Sequence, residues 1–202
     1  MSQSRAERIK LVLFDVDGVL TDGTILLLPA PSGARQTTHN ARKKKADGPG
    51  FGIVSRDVIE AKGFHAHDGT AISLARLGGL KTGVITKRIS ETVALRARDL
   101  KLDHVRQGIQ DKFTVFQEIL AAEHLSAEQV AYVGDDIIDL PVMRRCGLAI
   151  AVANARPEVK RDAHFVTERR GGEGAARDAI EFILKAQGTL ERVFEQYVAG
   201  ER

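Results

Sequence analysis

Residues 11–21 read Leu-Val-Leu-Phe-Asp-Val-Asp-Gly-Val-Leu-Thr, and this run constrains the fold more than any other stretch of the chain. Four successive β-favouring apolar residues suit a central strand of a parallel sheet, which is buried on both faces and shows no polar alternation. The strand breaks at two carboxylates, Asp15 and Asp17, and the Asp-Gly step that follows permits a tight turn. Open α/β sheets bind ligands at the carboxyl edge of their strands, so both acids are expected to face one crevice there. Two like charges so close raise each other's pKa unless a cation or a shared proton relieves them. A divalent metal is the economical solution, and Mg2+, which takes hard oxygen ligands and often works on phosphates, fits the donor type. An isolated Asp-x-Asp-Gly is equally compatible with a solvated turn, so other segments must decide.

Residues 129–139, Gln-Val-Ala-Tyr-Val-Gly-Asp-Asp-Ile-Ile-Asp, repeat the design: a β-rich run breaks at Gly134 into Asp135 and Asp136, with Asp139 four residues after the first acid. A helix starting just after Asp135 would bring Asp139 back beside Asp135 and Asp136. Between the two acidic strand ends lie Val84-Ile85-Thr86, an apolar strand ending in a hydroxyl, and Asp111-Lys112, a helix start carrying a cation. A nucleophilic carboxylate, a hydroxyl donor, a lysine and a metal-binding acid cluster, in order at successive strand ends, compose the parts that phosphoryl transfer needs.

The chain as a whole alternates strand and helix. Strands are expected at 9–15, 81–86, 103–106, 130–134, 148–152 and 164–166, and helices at 69–77, 90–100, 111–124, 137–146 and 175–186. Such alternation predicts an α/β fold with a mainly parallel sheet, right-handed crossovers and flanking helices. Residues 24–67 interrupt it with two hairpin-like apolar strands, 25–28 and 58–64, joined by a long polar connection. The 202 residues suit one α/β domain, 1–202, carrying the insertion 24–67 and a helical tail 188–202. Leu190, Val193, Phe194, Tyr197 and Val198 give that tail an apolar stripe, which leaves docking within the chain and docking on a partner both open.

Charge and cysteine usage narrow the setting. Thirty basic and 27 acidic side chains leave a net charge of +3, which does not argue for nucleic acid. The local run Ala41-Arg-Lys-Lys-Lys-Ala46 lacks interleaved aromatics and reads by default as a solvated loop, with steering of an anionic substrate as the alternative. The one cysteine, Cys146, excludes an intrachain disulfide. Arg144 and Arg145 beside it could activate a thiol, but a small packed residue at a helix end is the preferred reading. No apolar run approaches membrane length and the N-terminus lacks a signal-peptide core, so no membrane partner and a cytoplasmic location are expected.

Asp15-x-Asp17, Thr86, Lys112 and Gly134-Asp135-Asp136-x-x-Asp139 are similar to the four motifs of the haloacid dehalogenase superfamily of phosphohydrolases. More narrowly, residues 15–23, 132–143 and the run Gly171-Gly-Glu-Gly-Ala-Ala-Arg177 resemble the 3-deoxy-D-manno-octulosonate 8-phosphate phosphatase family. The resemblance implies a Rossmann-like core without a large cap domain, and hydrolysis of a sugar-acid phosphate. It also implies that Asp15 is the nucleophile forming an aspartyl-phosphate, that Asp17 is the acid/base, and that Thr86 and Lys112 hold the phosphoryl oxygens. Mg2+ would be bound by Asp15, the Asp17 carbonyl and Asp135, with Asp136 and Asp139 orienting ligands and Lys112. Homotetramers in which a hairpin covers a neighbour's site are a further implication. Nine-carbon ulosonate 9-phosphates, a broad range of small-metabolite phosphates and, outside enzymes, a phospho-accepting signalling module are the alternative readings; Asp17, which permits turnover, argues against the last.

For substrate contacts, Arg88 matches a family position, whereas Lys87 stands where Gly is usual and adds charge. His65 and His67 are read as lying on one face of a strand, where metal binding or polar sugar contacts are both possible; the latter is preferred because the acids already supply a hard-metal site.

Overall fold

The computed structural model describes residues 2–30 and 58–200. The basic run 41–46 and most of the connection between the hairpin strands lie outside the described residues. Six parallel strands form the main sheet in the order β5-β4-β1-β6-β7-β8. They are β1 (Leu11–Phe14), β4 (Lys81–Thr86), β5 (His104–Gln107), β6 (Val130–Gly134), β7 (Leu148–Ala151) and β8 (Phe165–Val166). A separate antiparallel pair joins β2 (Leu26–Pro29) to β3 (Val58–Ala61). Because β1 lies between β4 and β6, the strand order reverses beside it, and its carboxyl end opens at the switch point where doubly wound sheets form a crevice.

Burial explains the strand sequences. All residues of β1, β6 and β7 are buried, so each is apolar on both faces, and the alanines of β6 and β7 leave room for helices to pack closely. One helical layer contains α1 (Ser2–Ala6), α2 (Ala66–Leu77), α7 (Ala175–Ala186) and α8 (Leu190–Val198). The other contains α4 (Lys112–Glu123), α5 (Leu140–Met143) and α6 (Pro157–Asp162), while α3 (Glu91–Leu100) packs beside α2. The expected apolar spacing of α7 is realised with Ala176, Ile180, Ile183 and Leu184 fully buried. Helix α2 stops at Gly78-Gly79, where Gly79 takes φ +81° and Leu80 N–H returns to Ala75 O at 2.8 Å, feeding the chain into β4.

Four local differences from the sequence reading have physical causes. Helix α2 begins at Ala66 because the His65 ring accepts the His67 N–H at 3.3 Å as an N-cap, so the two histidines do not share a strand face. The helix expected over 137–146 is a 3-10 turn, Ile137–Asp139, followed by the single turn α5, because the Asp136 and Asp139 side chains cap that turn and Pro141 opens the next. Helices α1 and α6 were not anticipated, being short. The tail forms α8 against α2 and α7 of its own chain, with Val193 buried and Leu190, Phe194 and Tyr197 packed on the core, whereas Val198 is 83% exposed and leaves the stripe. No helix among the described residues is long and apolar enough to cross a membrane. Cys146 is buried, and burial pushes its thiol up to about 12, which agrees with a packed rather than reactive residue.

Candidate active site

Strand β1 delivers Asp15 to the crevice floor, with its N–H on Val133 O at 3.0 Å and its Oδ1 accepting Val16 N–H at 2.7 Å. Helix α4 delivers Lys112 from below. Asp111 caps that helix by accepting the N–H groups of Phe113 and Thr114 at 3.0 and 3.2 Å, which sets Lys112 in the first turn. The Lys112 ammonium then lies 2.9 Å from Asp15 Oδ1, 2.8 Å from Asp139 Oδ1 and 3.2 Å from Tyr132 Oη. Burial alone would lower the Lys112 pKa, but the charges of Asp15 and Asp139 raise it overall, so the side chain is a fixed cation.

Asp139, fully buried, organises the β6 end. Its Oδ1 accepts the Tyr132 hydroxyl at 2.8 Å, and its Oδ2 accepts the N–H groups of Asp135 and Asp136 at 3.1 and 3.4 Å. Gly134 is required beneath it, since a Cβ there would come within 2.6 Å of Asp139 Cβ. Asp136 Oδ1 accepts Ile137 N–H at 2.7 Å, capping the turn that follows. Asp15, Asp135 and Asp139 bring ligand oxygens within 4.8 Å of one another, the acid trio found among the described residues.

This convergence has an electrostatic cost. Burial, opposed by Lys112 and augmented by Asp139, raises Asp15 to about 7. Burial together with Asp139, Asp15 and Asp136 raises Asp135 to about 8. Asp135 Oδ1 is buried without a hydrogen-bond partner, while a Cβ on Gly18 would sit 2.2 Å from Asp135 Oδ2. A buried carboxylate with an orphaned oxygen, in a cluster of acids whose oxygens approach within 4.8 Å, offers the hard donors of a divalent cation such as Mg2+, so the residues fit that group.

The crevice holds about 280 Å3 and is lined by Asp15, Asp17, Thr86, Lys87, Arg88, Asp135, Asp136 and Ile138. A larger open recess of about 670 Å3, around Ile9, Lys10, Ser126 and Gln129, lies at the opposite edge of the sheet, away from these groups. Of the residues singled out from sequence, Asp15, Asp17, Thr86, Lys87, Arg88, Lys112, Asp135, Asp136 and Asp139 converge. His65 and His67 do not line the crevice; their rings pack edge to face at 4.7 Å at the start of α2.

Three participants escaped the sequence reading. Tyr132, fully buried, holds Asp139 and Lys112 together. Glu60 and Lys62 approach from β3 and the residue just beyond it. Lys62 Nζ bonds Asp17 Oδ1 and lies 2.9 Å from Glu60 Oε1; Arg88 bonds Glu60 Oε2 at 2.7 Å and lies 3.6 Å from Asp17 Oδ2. The available signal was the i, i+2 spacing of Glu60 and Lys62, which directs both charges to one side of an extended segment.

Residues 85–177 match the haloacid dehalogenase-like hydrolase family. The chain is 36% identical over 187 residues to the 3-deoxy-D-manno-octulosonate 8-phosphate phosphatase of Yersinia pestis, covering 93% of this chain and 86% of that one. The Moraxella catarrhalis enzyme of the same name, solved with magnesium, phosphate and KDO, superposes with a TM-score of 0.80 at 29% identity, over 96% of this chain and 97% of that one. The cobalt-bound deoxy-D-mannose-octulosonate 8-phosphate phosphatase of Haemophilus influenzae gives 0.74 at 31% identity, over 94% and 98%. The chain therefore belongs, within the haloacid dehalogenase superfamily, to the family of the 3-deoxy-D-manno-octulosonate 8-phosphate phosphatases, and is a phosphoric monoester hydrolase.

Proposed function

We propose that this chain, acting as one haloacid-dehalogenase-like domain, is a Mg2+-dependent phosphatase of sugar-acid phosphates, with 3-deoxy-D-manno-octulosonate 8-phosphate as first substrate. The observation that carries the reading is the buried Asp15 carboxylate, fixed by Lys112 at 2.9 Å and facing Asp135, with Asp17 at the crevice mouth.

Val16 N–H and Lys112 both engage Asp15 Oδ1, so Oδ2 is the oxygen that attacks phosphorus. The P–O bond to the sugar breaks as the aspartyl-phosphate forms, and Asp17 gives its proton to the departing oxygen. Asp17 then takes a proton from water, which attacks phosphorus and regenerates Asp15. Thr86 Oγ1 and Lys112 hold the equatorial phosphoryl oxygens, where transition-state charge gathers. Asp15, Asp135 and the Asp17 carbonyl would hold Mg2+, which when bound offsets the charge of the acids and the phosphate. Arg88 and Lys87 suit the carboxylate of the sugar acid.

The magnesium, phosphate and KDO in the Moraxella catarrhalis structure support the substrate class. The hairpin supports a homotetramer with closure by neighbours, since Ile25, Leu26, Leu27 and Leu28 are all about half exposed on β2 and the residue before it. A cytoplasmic location and action on a lipopolysaccharide precursor go with that first substrate. Steady-state phosphate release across eight- and nine-carbon sugar-acid phosphates and simple metabolite phosphates tests the reading, alongside mass spectrometry of quenched protein for phosphate on Asp15. Preference for a nine-carbon substrate, or equal rates for all esters, overturns the substrate; turnover without label on Asp15 overturns the covalent route. Light scattering showing an active, selective monomer overturns the assembly.

A further inference from the structure

We propose that Asn154, in the loop after β7, is a positioning residue that sets the metal-ligand geometry of the catalytic turn after β1. The proposal rests on the Mg2+-dependent reading above and extends it to a residue outside the crevice.

Asn154 stands between two loops far apart in sequence. Its Oδ1 accepts Gly171 N–H at 2.6 Å and its Nδ2 donates to Gly18 O at 3.3 Å. The orientation of the amide follows from the network itself: a backbone N–H can only donate, so the oxygen must face Gly171 and the nitrogen must face Gly18. Gly18 takes φ +94°, and its peptide planes are pinned on both sides. On one side its N–H reaches Thr21 Oγ1 at 3.4 Å, and on the other its carbonyl is held by Asn154. The first of these planes carries the Asp17 carbonyl. The direction of that oxygen, and the height of the glycine floor under Asp135, therefore depend on the two tethers.

The same loop reaches the second metal-ligand turn. Val152 N–H donates to Gly134 O at 3.3 Å, and Arg156 N–H donates to Asp135 O at 2.9 Å. One five-residue segment thus bonds the backbone of both acidic turns, with Asn154 as its sole side-chain link to the β1 turn among the described hydrogen bonds. The fit of the 171–172 loop completes the clamp. A Cβ on Gly171 would lie 1.8 Å from Gly18 O and one on Gly172 would lie 2.4 Å from Asp22 N, so these glycines admit the backbone contact that brings Asn154 its acceptor role. This assigns a task to the Gly171-Gly172 motif: its backbone presses on the catalytic turn rather than on substrate.

The variants Asn154→Ala and Asn154→Asp separate positioning from simple anchoring. Alanine removes both bonds. Aspartate keeps an acceptor for Gly171 but turns a carboxylate oxygen, with no donor, toward the Gly18 carbonyl. Its negative charge by itself would tighten cation binding, so any weakening must come from displaced ligands. Calorimetric Mg2+ titration of the full chain without substrate, thermal melts, and kcat and KM for phosphate release are measured together. Both variants are expected to melt cooperatively, to bind Mg2+ about tenfold or more weakly, and to lose kcat by a similar factor while KM changes less than about threefold, the scale usual for groups that orient metal ligands.

Wild-type affinity and kcat in Asn154→Asp, with a loss confined to Asn154→Ala, would reduce Asn154 to an anchor for the 171 loop and overturn the proposal, as would wild-type values in both. If Asn154→Ala does not fold, the nearly isosteric Asn154→Asp decides alone. Failure of the wild type itself to take up Mg2+ overturns the metal reading beneath, an outcome separate from equal binding by wild type and variants.

Discussion

Binding of Mg2+ should expel protons from this site, in an amount set by how deeply its carboxylates are buried. Asp15 at about 7 and Asp135 at about 8 titrate as interacting groups and together hold between about one and two protons at pH 7 when no Mg2+ is bound. Both must ionise to serve as ligands, so cation binding at pH 7 releases between about one and two protons, and affinity rises roughly ten- to a hundredfold from pH 6 to pH 7 before levelling above about pH 9. The assay is calorimetry at one pH in buffers of different ionisation enthalpy, whose slope counts protons directly. Release of less than about a third of a proton at pH 7 would mean that both acids are already ionised, and would refute the argument that burial outweighs Lys112. The linked stability has a definite sign. Both folded pKa values lie above their unfolded values, so the folded state holds more protons than the unfolded chain between about pH 4 and pH 8. In a chelator the stability contributed by these groups is full below that window and is lost as pH rises through it. The melting temperature in chelator is therefore expected to fall from pH 5 to pH 8, and saturating Mg2+ is expected to raise it more at pH 8 than at pH 5.

Asp15→Asn keeps the shape but removes the nucleophile, and turnover in a phosphate-release assay should drop below about a thousandth of wild type; more than a tenth, with deamidation excluded, would sink the covalent mechanism. Lys112→Ala leaves Asp15 and Asp139 buried without their cation, so the fold should lose about 3 kcal/mol, seen as a denaturation midpoint shift at unchanged m-value, and kcat should fall more than KM rises; an unshifted midpoint would show that the buried ion triad is neutral to stability. Gly171→Ala forces a Cβ against Gly18 O and should reduce kcat at least about tenfold while costing about 1–3 kcal/mol, whereas Gly63→Ala, which meets nothing within 4 Å, should change neither; equal behaviour of the two in paired kinetics and melts would contradict the close approach.

What was legible in the sequence was what proximity along the chain determines. A strand buried on both faces leaves its mark as an unbroken apolar run, so β1, β6 and β7, with the acids just beyond β1 and β6, could be placed, and the parallel sheet followed from their alternation with helices. Asp139 could be tied to Asp135 because four residues of a turn bring them together, even though the turn is 3-10 rather than α-helical. Groups that meet only through the fold left weaker traces. Lys62 and Asp17 are 45 residues apart, and Asn154 and Gly18 are 136 apart, so neither pair shares a spacing that a reader of the chain could test. The histidines failed for the opposite reason: their i, i+2 spacing looked like strand alternation, but the capping hydrogen bond from His67 N–H to His65 started a helix there instead. The same distinction orders the site's physics. Short-range spacing supplies the reactive groups, and long-range tethers, which cost chain entropy to form, decide whether carboxylates that repel one another stay close enough to share a cation. On the positioning role proposed for Asn154, a chain that kept the acids, Thr86 and Lys112 but lost Asn154 or the 171–172 glycines would hold the cation more weakly with the same reactive groups.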